Sequence, residues 1–102
     1  MITENIILKE EYKKELKHIS VDTNIPVATM LVACAAYILE EDRDIDKFHR
    51  KEQYDQFTMK IDEDLKSEIK DFCKEKEIRI KDFWNESAKM AINISKEGNQ
   101  CF

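Results

Sequence analysis

Gln56-Phe57-Thr58-Met59-Lys60-Ile61 alternates polar and apolar side chains, with Gln56, Thr58 and Lys60 on one face and Phe57, Met59 and Ile61 on the other. That period of two marks a strand with one wet and one buried face. Asp62-Glu63-Asp64 follows at once, acidic residues suited to the positive N-terminal end of a helix. Leu65, Ile69, Phe72 and Cys73 then recur at i, i+4, i+7 and i+8, which is one face of a helix. Polar Lys74-Glu75-Lys76-Glu77 is expected to break the pattern, and a second helical face follows in Ile80, Phe83, Trp84, Ser87, Ala88, Ala91 and Ile92. A strand and two helices in about forty residues are too little to enclose a core of their own. This unit needs a partner.

The partner is expected within the same chain. An ungapped offset of 53 residues sets Ile6 against Met59 and Leu8 against Ile61. The same offset matches Tyr12 with Leu65, Leu16 with Ile69, Ile19 with Phe72, Ile25 with Ile78 and Val27 with Ile80. It continues through Met30 with Phe83, Leu31 with Trp84, Cys34 with Ser87 and Ala35 with Ala88. A chance match would lose register at the turn between helices, and this one keeps it. The chain reads as two copies of one strand-helix-helix unit, with residues 3–8 and 56–61 pairing as antiparallel strands.

That unit resembles the ribbon-helix-helix family of DNA-binding proteins, the second copy most nearly the Arc repressor type. Asp55-Gln56-Phe57-Thr58-Met59-Lys60-Ile61 is similar to the family's reading strand, and Lys76-Glu77-Ile78-Arg79-Ile80-Lys81-Asp82-Phe83-Trp84 to its inter-helix turn and second-helix start. Together the copies cover roughly residues 3–41 and 56–94. The resemblance implies a mainly α fold with a short two-stranded antiparallel ribbon, a tandem ribbon-helix-helix pseudo-dimer. Residues 1–41 would form the first unit, 42–55 a linker, and 56–102 the second unit with a short tail.

The resemblance also places the contacts. Gln56, Thr58 and Lys60 would read base edges in the major groove: Lys can bond guanine O6 and N7, Gln can pair with adenine, and Thr can contact an edge or a thymine methyl. Thr3, Asn5 and Ile7 are their counterparts in the first copy, where Ile7 stands at the place of a basic residue. That strand therefore either reads DNA less well or serves only to pair with the second. Arg79 and Lys81 flank the start of the second copy's second helix, where backbone N–H groups and the helix dipole favour a phosphate. Ordinary surface charge is the alternative reading of both.

Composition bounds the rest. The chain has 102 residues, 38% charged and 42% hydrophobic, with a single Gly and a single Pro. Such a composition with periodic apolar positions suits a helix-rich compact fold. No run approaches membrane-spanning length and no basic-then-apolar signal pattern opens the chain, so a cytoplasmic protein without membrane contact is expected. The formal net charge of −5 opposes phosphate binding overall, unless the acidic surplus lies away from the ribbon. Cys34 and Cys73 fall on helix faces as small apolar residues, Cys101 lies in the tail, and neither His18 nor His49 stands at metal-ligand spacing from a cysteine. No metal, cofactor or catalytic constellation is expected.

The first copy's first helix is expected over Glu10 to about Thr23, with Asn24 in the turn and Pro26 at or before the next helix. That next helix, from Val27 to Leu39, is apolar nearly all round. Val32, Ala36 and Tyr37 are left over once a core face is assigned, so the linker or another protomer should cover them. In the linker, Ile45 and Phe48 would form a helical turn against Val32 and Tyr37, and His49-Arg50-Lys51 is a solvated face or a phosphate contact.

Three functions remain open. The first is a sequence-specific double-stranded DNA-binding protein, a small transcriptional repressor or a plasmid or phage accessory factor. Tandem units of this kind resemble those of plasmid relaxosome proteins. The second is a protein-interaction module that retains the fold with weak or no DNA binding, and the third is an antitoxin, which the short tail disfavours.

Overall fold

The computed structural model describes residues 1–45 and 53–97. It is mainly helical, with four helices and one two-stranded antiparallel sheet, in the order β1 (Ile2–Lys9), α1 (Glu10–Thr23), α2 (Val27–Glu41), β2 (Tyr54–Ile61), α3 (Glu63–Lys76) and α4 (Ile80–Lys96). β1 and β2 pair from Ile2↔Ile61 to Lys9↔Tyr54, as the alternation in both segments demands. Ile6, Leu8, Met59 and Ile61 point inward and are buried.

The helices begin and end for local reasons. Glu10 and Glu11 open α1, and Asp62 caps α3 by accepting from the Asp64 N–H at 3.4 Å. With one glycine in the chain, the left-handed residue that ends a helix is supplied by other side chains. Asn24 (φ 60°), Asp42 (φ 53°) and Glu77 (φ 58°) take that place after α1, α2 and α3. For Glu77 the conformation costs about 1 kcal/mol or more, and it is offset in part by the Ile78 N–H bonding Cys73 O at 3.0 Å. The chain bends by 108° between α1 and α2.

The 53-residue offset recurs in the element bounds. α1 and α3 each have 14 residues, starting at Glu10 and Glu63. α2 and α4 start at Val27 and Ile80. The core forms where α2 crosses α4 under the ribbon. Met30, Leu31, Cys34, Ala35 and Ile38 meet a wall that includes Phe83, Trp84, Ala88 and Ala91, all buried. Phe83 lies edge-on to both Phe72 (5.7 Å) and Trp84 (5.5 Å). Each such side chain contributes about 1.5–3 kcal/mol by burial, several times an exposed ion pair. The core decides the fold.

Several details depart from the sequence reading. β2 begins at Tyr54 rather than Gln56, because Tyr54 and Asp55 pair with Lys9 and Leu8 and so leave the linker. Lys74-Glu75-Lys76 does not break α3: these are good helix formers, and the break comes at left-handed Glu77. Ile45 is buried in irregular chain, while Phe48 and His49-Arg50-Lys51 lie outside the described residues, as do residues 98–102. Of the three α2 residues expected to be covered by the linker or another protomer, Val32 is half-buried, Ala36 exposed and Tyr37 56% exposed in the single chain, and most of the linker lies outside the described residues. No single helix there is long and apolar enough to cross a membrane.

Cys34 and Cys73 are buried free thiols. Burial, and secondarily the Asp82 carboxylate, push the Cys73 thiol up to about 11. It stays protonated and unreactive at neutral pH.

Candidate nucleic-acid interface

Side chains alternate across a strand, so the register sorts the ribbon into two faces. Thr3, Asn5 and Ile7 of β1 and Gln56, Thr58 and Lys60 of β2 are all exposed. They form three cross-strand tiers, Thr3 with Lys60, Asn5 with Thr58, and Ile7 with Gln56. Tiers two residues apart are about 6.6 Å apart along the strand. In the middle tier the Thr58 hydroxyl donates to Asn5 Oδ1 at 2.7 Å, which leaves the Asn5 amide N–H groups uncommitted by that bond. Ile7 is 42% exposed, an apolar side chain in an otherwise polar row.

Carboxylates border this face without entering it. Asp55 is held by Lys13, whose Nζ lies 3.0 Å from Oδ2 and also donates to Gln56 O at 2.8 Å. That hydrogen bond, with help from the Gln56 N–H, keeps the Asp55 carboxyl below the usual 3.8. Glu4 sits on the inner side, half-buried, with Lys66 at 3.6 Å. Of the chain's 22 acidic residues, none stands in the three exposed tiers.

The start of α4 is fixed to one end of the ribbon. Asn85, fully buried, accepts from the Lys9 N–H at 2.8 Å. Its amide donates to Ile7 O at 2.9 Å and to Lys81 O at 2.8 Å. Lys81 Nζ lies 4.3 Å over the Tyr54 ring, a cation–π contact at the same end. The Arg79 N–H donates to the buried Asp82 carboxylate at 3.1 Å, and the Arg79 guanidinium Nε lies 3.7 Å from the same oxygen. Lys81 therefore stands at the Lys9/Tyr54 end, with Arg79 two residues before it in the chain, and Lys60 lies about 20 Å away along the strand. Asp82 already occupies N–H and cation at the N-terminus of α4, so a phosphate there would have to share them. The start of α2, at Pro26 and Val27, has neither a side-chain cap nor an acidic residue in its first turn.

Sequence reasoning placed Ser87 on the core face of α4 but missed its buried polar neighbours Asp82, Asn85 and Glu86. Asp82, Asn85, Glu86 and Ser87 are all buried, and Arg43 reaches Glu86 at 3.4 Å. Trp84 Nε1 and Ser87 Oγ are buried without a hydrogen-bond partner. A signal existed, since Asn85 stands where the repeat has Val32. An isolated amide beside an apolar face reads as surface until the strand end that it binds is placed.

No protein-family model matches this chain, and neither does a curated protein or a solved structure.

Proposed function

We propose that the chain is a single-chain pseudo-dimer of two ribbon-helix-helix units that binds double-stranded DNA by laying its ribbon in the major groove. It would act as a small transcriptional repressor or as an accessory DNA-binding factor of a plasmid or phage. The pseudo-dimer rests on a coincidence of two numberings. Asn5 pairs with Thr58 across the ribbon, and Asn5 and Thr58 are also equivalents under the 53-residue offset. A two-fold axis relating the halves would pass through that pair, and Thr3/Lys60 and Ile7/Gln56 would be exchanged by it.

The observation that carries the DNA reading is the acid-free outer face of the ribbon in an acidic chain. A two-stranded ribbon fits a groove about 12 Å wide, and Thr, Asn, Gln and Lys side chains match its donor and acceptor pattern. Because the two ends of the row differ, the preferred site is non-palindromic. Guanine is favoured at the Lys60 end, and thymine is tolerated or favoured at Ile7. Selection of bound sequences from random duplexes gives the site. Lys60→Ala should then cost about 1–3 kcal/mol on that site and relax preference at one base pair. Arg79→Ala should weaken all duplexes about equally, as a phosphate contact would. If Lys60→Ala binds every duplex as the parent does, the ribbon is not the reading element.

Two observations favour the second reading, a protein-interaction module. Asp82 holds the helix N-terminus that a phosphate would use, and exposed Tyr37 adds apolar surface elsewhere. Binding that is weak and independent of sequence at every salt concentration would move that reading to first place.

A further inference from the structure

We infer that the groove between α2 and α3 docks a cationic amphipathic helix of a partner protein. Its floor is apolar, with Ala36 and Leu39 from α2 and Leu65 and Phe72 from α3. The rim is acidic, with Glu40 and Asp42 on one side and Glu68, Asp71 and Glu75 on the other. The groove encloses ≈ 550 Å³, and no Lys, Arg or His is among its described lining residues. Lys76 closes one end of the groove, its Nζ 5.7 Å over the Phe72 ring and paired with Asp42 at 3.3 Å and Asp44 at 3.2 Å, while Glu40, Glu68, Asp71 and Glu75 have no ion pair among the described residues.

Spacing and charge together define the occupant. Leu65 and Phe72 stand seven residues apart on one seam of α3, and Glu68, Asp71 and Glu75 run beside it. A helix lying in this groove would present apolar side chains at i, i+3 or i+4, and i+7, flanked by Lys or Arg opposite the carboxylates. An acidic helix, or a second copy of this acidic chain, would meet like charge at the rim, which disfavours wrong partners. The groove between α1 and α4 provides the contrast, since Glu11 and Glu15 there are accompanied by Lys14 and Lys96. Of these two grooves, among the described residues, the one between α2 and α3 has the charge complementarity to a cationic helix.

The test uses the full chain, labelled with ¹⁵N, without DNA, so that its result is independent of the DNA reading. Two synthetic helical peptides share one apolar repeat, and one carries Lys and the other Glu at the flanking positions. The Lys peptide should shift the amide signals of Ala36, Leu39, Leu65 and Phe72. Glu68→Gln/Asp71→Asn/Glu75→Gln, at exposed positions with the fold checked by circular dichroism, should weaken it about tenfold, the sum of three exposed pairs. Glu11→Gln/Glu15→Gln should change it by less than about twofold. Equal binding of the Glu peptide, or shifts mapping elsewhere, would overturn the proposal. So would an unaffected triple variant, or groove signals that move with protein concentration alone, which would assign the groove to self-association.

Discussion

The two second helices occupy places 53 residues apart in the chain, yet their surroundings differ. α4 packs closely on α1 and β1, whereas α2 packs much less on α3 and β2. Asn85 accounts for part of this, because two of its hydrogen bonds, from the Lys9 N–H and to Ile7 O, join α4 to the end of β1. The residue at the same place in α2 is Val32, which has no polar atom to offer β2. Glu86 and Ala33 differ in the same sense, since only Glu86 can hold Arg43. The shared apolar positions build the core, and the unshared polar ones decide which side closes and which stays open as a groove.

Replacing Asn85 with the residue of the other half tests this most severely. Asn85→Val removes the side chain that the part-buried Lys9 N–H and Ile7 carbonyl bond, which costs on the order of 2 kcal/mol. Val32→Asn should bring no gain, since α2 packs little on β2. Urea denaturation of both variants measures the difference. If Asn85→Val loses less than about 0.5 kcal/mol, packing and not the amide holds α4 to the ribbon.

Arg43→Ala should have the next largest effect. Glu86 is nearly buried and its carboxylate is 3.4 Å from the Arg43 guanidinium, which is itself 44% exposed. Removing the cation strands a buried charge, but the exposure of Arg43 means that water already weakens the pair. A loss of about 1–2 kcal/mol is expected. The double variant Arg43→Ala/Glu86→Ala should recover part of it, since Ala is what the repeat places opposite Glu86. No recovery would mean that Arg43 acts through contacts other than Glu86.

The periodicities made much of the fold legible. The strand pairing follows from alternation at Ile6, Leu8, Met59 and Ile61, and the bounds of α1 from Glu10, Thr23 and Asn24, because burial and capping are local properties of sequence. Asn85 was not legible. Its partners are backbone atoms 76 and 78 residues away, and backbone atoms leave no trace in side-chain patterns. Tyr37 is exposed in the single chain, and its cover by another protomer, which its apolar helix leads one to expect, is a matter of association between chains. The six ribbon residues were placed by parity alone. Their shared exposure follows from the register, whereas the pairing of Arg79 with Asp82 depends on how the turn before α4 closes.

The smallest expected effect concerns the lysines that join each first helix to the opposite strand. Lys13 and Lys66 are 53 residues apart, and they reach Asp55 at 3.0 Å and Glu4 at 3.6 Å. Lys13 forms hydrogen bonds to Asp55 and to Gln56 O, so Lys13→Met should lower stability more than Lys66→Met does. The Lys13 hydrogen bond, first among its causes, puts the folded Asp55 pKa below 3.8. A depressed folded pKa means that the unfolded chain takes up this proton first on acidification. The stabilisation is thus fully present above the unfolded value, and it fades as pH falls through 3.8 and then through the lower folded value. The gap between parent and Lys13→Met should be widest near about pH 6–7 and close on acidification below about pH 3.8. Urea midpoints across that range give the answer. A gap that stays constant or widens in acid would show that Lys13 stabilises through its alkyl packing and its bond to Gln56 O, with Asp55 a bystander.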